Sequence, residues 1–79
     1  MPHVVVKMIV GRSEELKRRL AEQIVKDVMA IVGSEDSSVS VAIEDVSPGQ
    51  WNEQVYDAEI VPGWDALYKK PGYGSRASK

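Results

Sequence analysis

The most chemically distinctive position in this chain is the second, where proline follows the initiator methionine. Removal of Met1 is expected before a small residue, and it would leave Pro2 with a secondary amine in place of an amide. An α-amino group has a reference pKa of about 7.7–8.0. An apolar pocket disfavours the charged form, and a nearby arginine repels it further, so both lower that value. The product is a base that is neutral near pH 7 and matched to proton transfer. The plainer reading makes Pro2 an ordinary second residue. While Met1 stays attached, the Pro2 nitrogen is a tertiary amide with no usable lone pair. The second candidate is Arg12, whose planar guanidinium suits a carboxylate. Its plainer role is a surface charge near a helix start.

Other chemistries lack their residues. Cysteine is absent and His3 is the sole histidine, which removes thiolate catalysis, disulfides and a histidine-based metal cluster. A Ser-His-Asp set is not expected, and Gly11 stands alone where a phosphate-binding loop needs several glycines. Glu44 and Asp45 are adjacent on a predicted strand, so they point to opposite faces and are poor partners for acid–base work. No cofactor and no metal are expected.

The elements that must position Pro2 and Arg12 follow from hydrophobic period. Residues His3 to Val10 read HVVVKMIV, a β-branched run suited to a strand buried on both faces. A strand starting at residue 3 would hold the terminal amine rigidly. Ser13 is a plausible N-cap, with Glu14 and Glu15 where a helix start favours negative charge. Leu16, Leu20, Ile24, Val28 and Ile31/Val32 then mark one face of a helix, with Lys17 and Arg18 away from it. Gly33 is the natural stop. After a polar loop, Val39, Val41 and Ile43 alternate with polar or small residues as a second strand. The unit is βαβ, with parallel strands and a right-handed crossover. Ser47-Pro48-Gly49 is a turn. Trp51, Val55 and Ala58 suggest a short helical turn, Pro62-Gly63 breaks it, and Trp64, Leu67 and Tyr68 suggest another. The reading is a single domain over residues 1–72 with a flexible tail over 73–79.

Arg12 sits at the far end of the first strand from Pro2. Ten residues of strand span about 33 Å, so the two share a pocket only if Arg12 comes from a partner subunit. Length argues the same way. A chain of 79 residues buries about 60% of the surface its unfolded form exposes. Without disulfides or a metal, oligomerisation is the remaining reinforcement. All 12 acids lie in the first 68 residues, against six basic residues there. That acidic body argues against a nucleic-acid surface. The basic end of Lys69, Lys70, Arg76 and Lys79 lacks a dense cationic run and reads as a solvated terminus. No apolar stretch approaches the roughly 20 residues of a membrane span, and Lys7 and Gly11-Arg12 interrupt any signal-like start. A cytoplasmic protein is expected.

In order, the chain presents Pro2, a strand to Val10, Gly11-Arg12-Ser13, an amphipathic helix to Val32, a second strand and Trp51. That ordered set resembles the 4-oxalocrotonate tautomerase superfamily over nearly the whole length. The words MPH, DSSVSVA (36–42), DAEI (57–60) and ALYKKPGY (66–73) are similar to its PptA-like subgroup. The resemblance implies an α+β fold, β-α-β with parallel strands and a short helical C-terminal extension. It implies a cofactor-independent keto–enol tautomerase, an isomerase, with Pro2 as general base and acid. It implies that Arg12 holds a substrate carboxylate from a neighbouring subunit and that Trp51 keeps the pocket apolar. A core tryptophan is the plainer role for Trp51. Where the archetype has a second arginine, this chain has Ser40. That implies a monocarboxylate 2-oxo acid or enol, of the arylpyruvate kind, over a dicarboxylate. The subgroup implies a homodimer, which is favoured here over the hexamer of the shorter archetype. Lys69 and Lys70 are candidate replacement anchors, and His3 is read as occupying the strand. A non-catalytic binding module of the same fold is the alternative if Met1 is retained.

Overall fold

The computed structural model describes residues 1–77. They form two compact units, one ending at Val46 and one beginning at Ser47. The first holds strand β1 (His3–Ile9), helix α1 (Glu14–Val32), a 3-10 turn (Asp36–Ser38) and strand β2 (Ser40–Val46). The strands are parallel, in register from His3↔Ser40 to Ile9↔Val46. Pairing extends past both ends of β1. The Ser40 N–H donates to the Pro2 carbonyl at 3.1 Å, and the Val10 N–H donates to the Val46 carbonyl at 3.0 Å.

Helix α1 has the limits its caps dictate. The Leu16 N–H donates to the Ser13 hydroxyl at 3.2 Å, satisfying a donor that lacks an intrahelical partner. Gly33 closes the helix at φ 84°, a left-handed conformation that glycine adopts without strain, and its N–H donates to the Met29 carbonyl. The buried stripe, however, is rotated from the predicted one. Lys17, Ala21, Ile24, Val25 and Val28 are half-buried. Leu16 and Leu20 are exposed, and Ile31 is 83% exposed. The physical reason is the width of the support. Two strands can cover only part of an apolar stripe, and the rest of it faces outward. The same shortage corrects the reading of β1 as buried on both faces, because Val5 is exposed.

Lys17 corrects a second expectation. It does not lie on the solvent face; only 15% of its side chain is exposed. Its ammonium reaches Asp45 of β2 at 2.7 Å and Glu14 at 3.0 Å. These hydrogen bonds, Asp45 first, hold the Lys17 pKa above its ordinary value.

The second unit contains 3-10 turns over Pro48–Gln50 and Trp64–Ala66, flanking a helix over Asn52–Ile60. This helix is of the π type, with a hydrogen bond from the Val61 N–H to the Tyr56 carbonyl at 2.9 Å. It buries Val55 and Tyr56, which with Val46 are the buried hydrophobic residues among those described. So small a core agrees with the chain length. Tyr73 and Arg76, expected in a loose tail, contact Trp51 and Tyr56 within this unit. Residues 78 and 79, the last of that tail, lie outside the described residues, and Lys79 of the basic end with them. Among the described residues no helix is long and apolar enough to cross a membrane.

Candidate functional site

Pro2 stands at the open end of β1. It is half-buried, and Met1 before it is fully exposed. The bond from the Ser40 N–H fixes the Pro2 carbonyl, so the sheet ladder reaches the residue whose nitrogen is of interest. Beside it, His3 Nδ1 and Ser40 Oγ share a hydrogen bond of 2.6 Å. The pair follows from register, because directly opposed residues of two paired strands present their side chains to the same face. Ser40 therefore acts twice, with its backbone on Pro2 and its hydroxyl on His3. That second contact was not visible from sequence, since it needs the register and not the spacing.

Arg12 lies at the other end of β1, in the loop before α1. Its Nη1 donates to the Ile9 carbonyl at 3.1 Å. A guanidinium has five N–H donors, so most of the fork is left for an anion. Met8, Arg12, Leu16, Lys17 and Leu20 line a cleft of about 210 Å³. The outward leucines of the rotated helix stripe make its apolar wall. Lys17 is committed to Asp45 and Glu14. Arg12 is thus the cation of this cleft suited to a ligand carboxylate, with apolar surface beside it for the ligand's body. Within one chain Pro2 and Arg12 are kept apart. The seven residues of β1 separate its ends by roughly 23 Å.

Trp51 opens the π-helix of the second unit and is half-buried. Its Nε1–H donates to the Tyr73 hydroxyl at 3.0 Å. Trp64 has the Lys70 ammonium and the Arg76 guanidinium over its ring, at 5.8 and 5.7 Å from the centroid. Lys70 therefore has an aromatic partner within its own unit.

Comparison with known proteins gives a consistent picture. A family profile described as "Tautomerase enzyme" matches residues 2–56. The chain is 45% identical to a probable tautomerase of Xylella fastidiosa, across 99% of this chain and 95% of that protein. It is 38% identical to tautomerase PptA of Escherichia coli strain K12, across 98% of this chain and all of that protein. Among solved structures, one of the 4-oxalocrotonate tautomerase isozymes from Methylibium petroleiphilum is 36% identical, with a TM-score of 0.61 over 63% of this chain and 81% of its own. The YwhB homologue of 4-oxalocrotonate tautomerase is 37% identical, with a TM-score of 0.57 over 58% of this chain and 75% of its own.

Proposed function

The chain belongs to the tautomerase family, and we propose that it interconverts the enol and keto forms of a small 2-oxo monocarboxylate with the Pro2 amine as base and acid. Membership of the 4-oxalocrotonate tautomerase superfamily makes it an isomerase. The proline mechanism rests on one observation above the rest. The sheet ladder holds Pro2 by its carbonyl, so an amine formed there on loss of Met1 has a fixed position. A base must lie within hydrogen-bond reach of the proton it takes, and a frayed terminus would not keep it there.

In this reading the neutral amine removes the enol hydroxyl proton and a proton is returned at carbon, so the amine ends as it began. Arg12 holds the substrate carboxylate. Its remaining donors and the apolar wall of its cleft suit one carboxylate attached to an apolar body. Trp51 contributes an apolar surface to the pocket. Ser40, in place of a second cation, offers a neutral hydroxyl already shared with His3 and leaves a second carboxylate without an anchor. In this reading Arg12 comes from a partner subunit, which its separation from Pro2 along β1 supports, in a homodimer working in the cytoplasm.

Intact mass first establishes that the purified protein lacks Met1. Pro2→Ala is then assayed for ketonisation of phenylenolpyruvate. Positioned proton transfer contributes about 100- to 10,000-fold, so a loss of that size in kcat is expected. A processed Pro2→Ala protein working at the wild-type rate would sink the proline mechanism. Activity of the wild type should rise with pH as the amine loses its proton, because only the neutral form accepts one.

A further inference from the structure

We infer that Tyr73 is a positioning residue for Trp51 and thereby tunes affinity for the apolar part of the substrate; the inference rests on Trp51 lining the pocket. Trp51 is only half-buried, and a half-buried indole is free to turn unless its polar edge is held. Here the edge is held by the Tyr73 hydroxyl, at 3.0 Å from Nε1. Tyr73 is in turn fixed from behind. Its ring packs on Tyr56 with centroids 5.6 Å apart and planes tilted by 41°. Tyr56 is 3% exposed and therefore rigid, and its hydroxyl accepts the Arg76 N–H at 2.9 Å. Between Tyr73 and Arg76 the chain passes so close to the Tyr56 ring that a Cβ on Gly74 would collide with Cζ. The Arg76 guanidinium then rests over Trp64, a second point of attachment for the same segment.

The π-helix supplies the geometry. Its hydrogen bonds run from residue i to i+5, which brings residues five apart in sequence onto one side. Trp51 and Tyr56 are five apart, and both meet Tyr73. In an α-helix they would lie about 140° apart and could not share it. The C-terminal segment is thus a fixed backing for the indole. With Nε1–H already satisfied, the substrate meets an apolar ring and not an open donor.

The test is Tyr73→Phe, which keeps the ring and deletes only the hydroxyl. KM for phenylenolpyruvate should rise about fivefold, the size of one neutral hydrogen bond, with kcat within twofold of wild type. The indole N–H signal of Trp51 should move in a 15N correlation spectrum while that of Trp64 stays. In a Trp51→Phe background, where position 51 has no N–H to hold, Tyr73→Phe should change KM no further. An unchanged KM in Tyr73→Phe, or an equal KM change in both backgrounds, would overturn the positioning role. If Trp51→Phe itself leaves KM unchanged, Trp51 does not line the pocket and the inference falls with that assignment. Loss of activity in Pro2→Ala would still stand, so failure of the proline mechanism is separately visible.

Discussion

Single atoms decide much of this molecule. The Pro2 nitrogen is an amide or an amine according to one peptide bond, and only the amine accepts a proton. The Ser40 hydroxyl lies against His3, so one oxygen ties the start of β2 to the residue after Pro2. Gly74 is the clearest steric case. Its φ is 90°, which penalises any side chain, and the Tyr56 ring occupies the space a methyl would need. Gly74→Ala should therefore destabilise the protein by about 1–3 kcal/mol, read as a lower urea midpoint at unchanged slope. A midpoint equal to wild type would show that the C-terminal segment does not pack against Tyr56 in solution. Nothing in the residue types marks this site, since Tyr56 and Gly74 are far apart in sequence.

At the level of elements, period, caps and the parallel pairing of the two strands were readable, and the side-chain contacts between elements were not. Ser13, the acidic first turn and Gly33 are local signals, and α1 begins and ends at them. Which stripe of α1 turns inward depends on the strands beneath it, so Lys17 escaped the pattern. Its contact with Asp45 ties α1 to β2 and has a pH signature. Its pKa is raised from 10.5, so its contribution to stability is complete below that value. It is lost as pH rises through the higher folded-state value. Wild-type melting temperature should hold through neutral pH and fall at high alkaline pH, and Lys17→Met should lack that part of the alkaline fall. Identical alkaline profiles would exclude the coupling. The π-helix was equally hidden. Its side-chain pattern resembles a broken α-helix, and its identity lies in backbone bonds to i+5.

On the scale of the whole molecule, one chain leaves its own proposed site incomplete. β1 holds Pro2 and Arg12 at opposite ends. The exposed Val5, Leu16 and Ile31 are surface that a small protein gains by covering. The test is complementation. Pro2→Ala and Arg12→Ala chains, each inactive or weak alone, are mixed and refolded together. If Arg12 serves the partner's Pro2, each mixed dimer contains one intact site, and activity should recover toward half of wild type per dimer. Mixtures no more active than their components would place both residues in the same chain's site or in none. By itself, the sequence determined the βαβ order, the limits of α1 and the family, because hydrophobic period, caps and ordered motifs are properties of neighbours along the chain. Only the tertiary structure decided that Ser40 holds Pro2 and His3, that Lys17 turns inward, and that Tyr73 backs Trp51. Those contacts join residues 22 to 38 positions apart, and the register and packing that unite them exist only once the chain has folded.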